Sequence, residues 1–401
     1  MKRFFFYVIF ILFILVSLAL TGEMFFRIFR GSPNPLIGVS QKGSEYLFQP
    51  NAQLDKKSSI PGEFQYVAHI NQFGYRGKNF EAMKPRGALR VLAVGDSFTF
   101  GVGAQDDQTI PAVMETQLKN SGVNAEVINA GIGHASPIRH LVNLRDIHLK
   151  YKPDLVVLLL DLTDIRDDWY SERNAIFDEQ GNIVKFDLDY INGKRDWWRT
   201  IVHKSAFAKY VNDKIIRSIR KIQILGFKRY IMLKSQGKKA KAEIANLKKQ
   251  VSDELQIEYD GMLFLRGREK KDLILKHWPR TAKYLTAIKE LLDKQGIPMV
   301  LVVYPHGIYV GADEWNEGRK AWGFEQNKLY TDYYPFDLVE SFAAEHGIPF
   351  INTLENFLNV PKDKYFFDYD GHMNPKGYRI VAESIFNNQV FSDQLQKVIL
   401  K

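Results

Sequence analysis

Cysteine is absent from all 401 residues. Its absence excludes disulfides, thiolate metal sites and a cysteine nucleophile together, though it fixes no compartment. A phosphate loop is missing too, because no Gly-Lys-Ser or Gly-Lys-Thr follows Gly101-Val102-Gly103. No repeat recurs along the chain. Acidic residues are nearly missing from one stretch: residues 201–250 hold 14 Lys or Arg against two acids, Asp213 and Glu243. That segment alone exceeds the formal net charge of +9, so the rest of the chain is slightly acidic. What remains is ordinary. Hydrophobic residues make up 45% and charged residues 25%, which suits a globular protein with a sizeable core. The length allows one large α/β domain with additions, or two domains.

Polar residues are also scarce at the start. After Met1-Lys2-Arg3, the 17 residues Phe4 to Leu20 are apolar except for Ser17. As a helix this run reaches roughly 25 Å at 1.5 Å per residue. It is longer than the apolar core of a usual signal peptide, and Ser17-Leu18-Ala19 is a poor cleavage site. An uncleaved transmembrane anchor over residues 1–22 is therefore favoured over a cleaved signal. Lys2 and Arg3 would stay cytoplasmic, placing the remainder on the outer side of the membrane, although Arg27 and Arg30 flank the other end.

Residues 23–88 read as a linker followed by short strand-like pieces such as Gln65 to Ile70. From residue 89 the pattern becomes regular. Strand-like runs occupy 89–94, 125–130, 154–160, 298–304 and 348–352, with helical patterns at about 108–120, 137–150, 280–295, 335–346 and 375–388. Continuous apolar strands alternating with helices predict an α/β fold: a three-layer sandwich around a five-stranded parallel sheet, in the flavodoxin-like order 2-1-3-4-5. The main domain is expected over 89–401, with an insertion at about 167–279. Within the insertion, Phe207, Val211, Ile215, Ile219 and Ile222 recur at helical spacing, with Lys and Arg on other faces. Three readings stay open: a solvated helix packed on the domain, a contact with anionic lipid, or a contact with a polyanionic polysaccharide. Nucleic acid is not expected, since the aromatics form no stacking platform. Trp197, Trp198 and Trp278 flank this segment, as packing residues or as sugar or membrane contacts.

The chemistry concentrates at two places. Leu89 to Val94 is an apolar run that stops at Gly95-Asp96-Ser97, which puts a serine at the carboxyl edge of a sheet. Near the far end lies Asp370-Gly371-His372-Met373-Asn374, just before a helical pattern. A serine hydroxyl becomes a nucleophile once a base takes its proton, and an imidazole oriented by an acid supplies that base. Asp96 and His306, each at the end of a predicted strand, are expected to line the same cleft as substrate contacts. Asp96, Asp161 and Asp164 together admit a metal site, but capping and loop hydrogen bonds explain them better, and the chemistry needs neither metal nor cofactor.

Several motifs then carry a resemblance. They are Asn71-Gln-Phe-Gly-Tyr-Arg-Gly77, Gly95-Asp-Ser-Phe-Thr-Phe-Gly101, Asn129-Ala-Gly-Ile-Gly133, Asp161-Leu-Thr-Asp164 and Asp370-Gly-His-Met-Asn374 followed by Pro375-Lys-Gly377. In their joint order they resemble the SGNH, or GDSL-type, hydrolases, specifically a membrane-anchored exported bacterial group. The resemblance covers about 70–165 and 280–390. It implies Ser97 as nucleophile, His372 as base and Asp370 as the orienting acid. The family usually places that acid three residues before the histidine, where Tyr369 stands here, so Asp368 or no acid at all are alternatives. It also implies an oxyanion hole from the Ser97 amide, a glycine amide and an asparagine side chain. Gly133 is the expected glycine, with Gly131 or His134 as alternatives, and Thr163 replaces the asparagine.

The implied activity is a membrane-anchored serine esterase acting on an acyl or acetyl ester of envelope carbohydrate or lipid. Two rivals remain: an O-acyltransferase using the same acyl-enzyme, and a non-catalytic binding protein on the same scaffold.

Overall fold

The computed structural model describes residues 2–30, 47–58, 60–186, 257 and 260–400. The basic segment, Trp197 and Trp198 lie outside these residues. Chain contacts divide the molecule into a small unit, 1–36 with 187–255, and a large one, 37–186 with 256–401.

In the small unit the described element is helix α1, Lys2–Arg30, which continues past Gly22. Within it, Thr21 Oγ1 donates to the Ser17 carbonyl at 2.8 Å. Phe5, Phe6, Phe10 and Phe13 are exposed along it. Among the described residues no helix is long and apolar enough to cross a membrane, several α1 side chains lying outside that set.

The large unit is built on a five-stranded parallel sheet. Its strands are β3 (Leu89–Gly95), β4 (Ala125–Gly131), β5 (Leu155–Leu160), β8 (Met299–Val303) and β9 (Phe350–Asn352). Their spatial order is β4-β3-β5-β8-β9, which is the expected 2-1-3-4-5 arrangement. Every residue of β5 and β8 is buried, as a parallel sheet covered on both faces requires. Two antiparallel pairs stand outside this sheet: β1 (Gln53–Lys57) with β2 (Gln65–His69), and β6 (Ala175–Phe177) with β7 (Ile183–Phe186).

The helices follow local signals. Four-residue α2 (Ser97–Phe100) begins at the Asp96 cap, and α3 (Ile110–Asn120) at Thr109, with Pro111 in its first turn. Helices α4 (Pro137–Asp146) and α5 (Asp164–Glu172) follow β4 and β5. Helix α7 (Tyr334–Glu345) precedes β9, and α8 (Pro375–Phe386) and α9 (Gln389–Ile399) close the chain.

Residues 167–186 and 260–279 belong to the large unit, and α6 runs from Lys271 to Lys294 rather than from about 280. Pro279, which normally argues for a helix start, lies inside it. The buried stripe Ile274, His277, Trp278, Thr281, Leu285, Ile288 and Leu292 carries the helix through. Trp278 packs edge-on against Phe342 at 5.5 Å, which settles the choice for that residue in favour of packing.

Candidate active site

β3 ends where only glycine fits. A Cβ at Gly95 would stand 2.1 Å from Thr99 Oγ1 and 2.9 Å from the Leu159 carbonyl, and one at Gly131 would stand 2.1 Å from the Phe100 amide nitrogen. These close approaches let α2 sit directly on the carboxyl ends of β3 and β4. Asp96 caps α2 by accepting from the Phe98 amide at 2.9 Å, which leaves Ser97 half-buried at the first helical position.

His372 arrives from the other end of the sequence. Residues 366–373 form a tight turn closed by a Phe366–Met373 bridge, and the Phe367 amide donates to the His372 carbonyl at 2.9 Å. Asn374 then caps α8, accepting from the Lys376 amide at 2.9 Å and the Gly377 amide at 3.2 Å. The turn and the cap together fix the imidazole. His372 Nε2 lies 2.8 Å from Ser97 Oγ, and its Nδ1 is in short contact with Asp370 Oδ1. The Phe98 ring lies against the imidazole, centroids 4.7 Å apart.

Electrostatics suit a base. Burial disfavours charge on His372, but Asp370, then Asp96 and Asp161, outweigh it and raise its pKa above the ordinary value. Burial would raise Asp370 in turn, yet His372 holds it below the usual carboxylate range. Asp368, the alternative acid, accepts from the Asn316 amide at 2.9 Å and so faces away from this role.

The other expected residues are placed differently. Asp96 is 5% exposed and fully engaged: besides capping α2 it accepts from the Tyr304 hydroxyl at 2.9 Å, and Ser97 Oγ reaches it at 3.3 Å. Burial, then the charge of Asp161, pushes its pKa up to about 7. His306 is 3% exposed and its Nε2 meets Asp161 Oδ1 at 2.9 Å. Asp96 thus has both carboxylate oxygens engaged, and His306 gives its Nε2 to Asp161.

For the oxyanion hole, Gly133 lies beside the nucleophile, since a Cβ built there would be 4.0 Å from Ser97 Cβ. Among the described residues neither the Gly133 nor the Ser97 amide has an acceptor. Gly131 spends its amide on Asn129 Oδ1 at 3.0 Å, and His134 turns outward, exposed at φ 60°. Thr163 departs from the expected role. Its amide donates to Asp161 Oδ1 at 2.7 Å, and its hydroxyl also bears on that carboxylate. Burial would raise Asp161, but His306 and Thr163 together hold it low.

Sequence reasoning missed Tyr304, which closes the buried run of β8 with a hydroxyl aimed at Asp96. Asp164, grouped in the sequence with Asp96 and Asp161, is buried beside them. Burial and the charges of Asp96 and Asp161 drive the Asp164 pKa well up, consistent with its Oδ1 standing without a partner.

Residues 93–380 match the GDSL-like Lipase/Acylhydrolase family. No curated protein matches the chain. Among solved structures, an acetyl xylan esterase, AlAXEase, is 16% identical, with 74% of this chain and 98% of that one covered at a TM-score of 0.36. A lipase/acylhydrolase from Enterococcus faecalis is 12% identical, with 77% and 96% covered at 0.36. AlinE4, an SGNH-hydrolase family esterase, is 15% identical, with 70% and 86% covered at 0.30. These likenesses are remote and say nothing about substrate. The family match spans most of the chain and encloses Ser97, His372 and the sheet between them, so this chain belongs to the GDSL-like lipase/acylhydrolase family and is an ester hydrolase.

Proposed function

We propose that the protein is a membrane-anchored serine esterase that removes an acyl or acetyl group from envelope carbohydrate or lipid. The observation that carries the chemistry is the 2.8 Å contact between Ser97 Oγ and His372 Nε2, with Asp370 at Nδ1. Ser97 Oγ attacks the ester carbonyl carbon while its proton passes to His372 Nε2. The carbonyl oxygen becomes an oxyanion, for which the Ser97 and Gly133 amides are the donors without acceptors of their own. Collapse breaks the bond to the alcohol, which leaves with the proton from His372. Water then repeats the sequence on the acyl-serine, giving the free acid and restoring Ser97.

The anchor and the compartment rest on the sequence. Phe4 to Leu20 is apolar after Lys2 and Arg3, and residues 201–250 are strongly basic. Together they favour an extracytoplasmic domain held near an acidic envelope surface, which motivates the substrate class.

One experiment tests both parts. Cells expressing the full chain are treated with a fluorophosphonate probe, fractionated and washed with alkaline carbonate. A labelled band in the membrane pellet, absent in Ser97→Ala, is expected. Equal labelling of Ser97→Ala would remove the nucleophile, and release of the band into the wash would remove the anchor.

A further inference from the structure

The loop that carries Asp370 and His372 is held by two glutamates from different parts of the chain. Glu314, 2% exposed, accepts from the Tyr365 and Phe366 amides, both at 3.0 Å, at the loop's root. Glu63 does the same at the loop's tip. Its Oε1 accepts from the Tyr369 amide at 2.7 Å and the Asp370 amide at 3.0 Å, across 306 and 307 residues of sequence.

Glu63 is itself held in place. It lies in the turn between β1 and β2, where Ser58 Oγ donates to its Oε2 and the Ser58 amide donates to the Phe64 carbonyl at 3.0 Å. The neighbouring Phe64 ring meets Phe367 of the loop at 4.7 Å. β2 is pinned to the segment after the nucleophile: Asp106 accepts from the His69 amide and from Arg76 Nε, the latter at 2.9 Å. Arg76 also donates to the Phe100 and Gly101 carbonyls at 2.8 and 2.7 Å, bracing the end of α2. The hairpin therefore grips the serine's helix and the acid's loop at once, and it lies before residue 93, where the family match begins.

We infer that Glu63 is a positioning residue for the reaction: by binding the Tyr369 and Asp370 amides it holds the Asp370 carboxylate against His372. The inference rests on the proposed roles of Ser97, His372 and Asp370. Asp370 has little else to fix it. It is at the surface, its carboxylate meets only His372 among the described residues, and Gly371 beside it adopts φ 91°. Without Glu63 the tip of the loop loses both backbone bonds, so Asp370 would spend less time at Nδ1 and His372 would lose the partner that sustains its basicity.

The charged and titratable groups around the pair come from each surrounding element: Glu63, Tyr66 and Arg76 from the hairpin region, Asp96 before α2, Asp161 after β5, and Tyr378 on α8. Replacing Glu63 leaves the others in place.

The test uses the full chain, p-nitrophenyl acetate and a pH series, comparing Glu63→Ala with Glu63→Gln. The amide keeps a carbonyl oxygen able to accept both bonds but carries no charge. Glu63→Ala is expected to lower kcat about 10- to 100-fold, the scale of a misplaced catalytic group. KM should stay within about twofold, and the acid limb of kcat/KM should move to lower pH. Glu63→Gln should restore most of kcat. If Glu63→Ala does not fold, Ser58→Ala, which loosens Glu63 from behind, should show the same changes more weakly. An unaltered kcat and pH profile in Glu63→Ala, or a Glu63→Gln as impaired as the alanine variant, overturns the inference. Fluorophosphonate labelling of Ser97 in the wild type separates this failure from a failure of the proposed roles.

Discussion

Two histidine–aspartate pairs flank the Phe98 ring, His372–Asp370 at the surface and His306–Asp161 beneath it, with ring centroids 4.7 and 5.3 Å from Phe98. They hold their carboxylates by opposite nitrogens. His372 turns Nδ1 to Asp370 and keeps Nε2 for Ser97 Oγ, whereas His306 commits Nε2 to Asp161. Exposure divides them as well. The side chains of the first pair are 22% and 30% exposed, and those of the second 3% and 1%. A base must exchange protons with substrate and water, so the first arrangement suits chemistry. The second is sealed and serves the field and packing beneath the nucleophile. A histidine beside an aspartate is therefore not by itself a catalytic feature; the free nitrogen and its access decide.

Asp370→Asn should break the comparison most strongly. The amide leaves the shape intact but permits the wrong imidazole tautomer, so kcat should fall about 10²–10⁴-fold. The pH profile should change in a definite direction. His372 must be neutral to accept the serine proton, and its pKa is raised chiefly through Asp370 against the opposing effect of burial. In the wild type, kcat/KM should therefore fall with acid through a midpoint above the ordinary histidine value. The Asp370→Asn substitution removes the raising charge, so the limb should move to lower pH. A steady-state pH series on p-nitrophenyl acetate checks it; a limb that stays in place would show that Asp370 does not control the base.

The buried pair should respond in stability instead. His306→Ala leaves the Asp161 carboxylate without its main partner in a site closed to water, which costs about 3–5 kcal/mol when a buried pair is broken. His306→Gln can still donate to Asp161 and should cost less. Denaturant midpoints measure both, and kcat/KM of the folded alanine variant should change by less than about tenfold, the step that separates a positioning effect from loss of a base. A large kcat loss with unchanged stability would reverse the roles assigned to the two pairs.

The difference between the pairs also marks what the sequence could reveal. The sheet was legible because its strands are near-continuous apolar runs, and Leu155 to Leu160 shows the pattern at its plainest. Ser97, His372 and Asp370 were legible because each stands in a short motif beside a strand end or helix cap. Burial was not. Asp96 and His306 carry the same strand-end signal as Ser97, and only packing shows that Asp96 is held by Tyr304 and His306 Nε2 by Asp161. Glu63 left no signal at all, because it acts through a carboxylate on backbone amides, which have no side-chain identity to read. The start of α6 was hidden by Pro279, whose local preference yields to a stripe of buried side chains on both sides.

Thr163→Val gives the smallest expected effect and sharpens the boundary between the pairs. Were Thr163 a donor to the oxyanion, as its place in the motif suggested, losing its hydroxyl should cost about 10²–10³ in kcat. Its amide and hydroxyl instead bear on Asp161, behind the nucleophile. Valine keeps the amide bond and the side-chain volume, so the loss in kcat/KM on p-nitrophenyl acetate should stay below about fivefold, well short of a lost oxyanion donor. The hydroxyl also helps hold the Asp161 carboxyl low, though less than His306 does. Asp161 should therefore protonate at slightly higher pH in the variant. A carboxylate held low stabilises the fold above its unfolded pKa and loses that contribution as pH falls, so the variant should be slightly less stable than the wild type near neutrality, and the difference should close as acid protonates Asp161 in both. A loss in the hundreds at neutral pH would instead move Thr163 from the sealed pair to the open one.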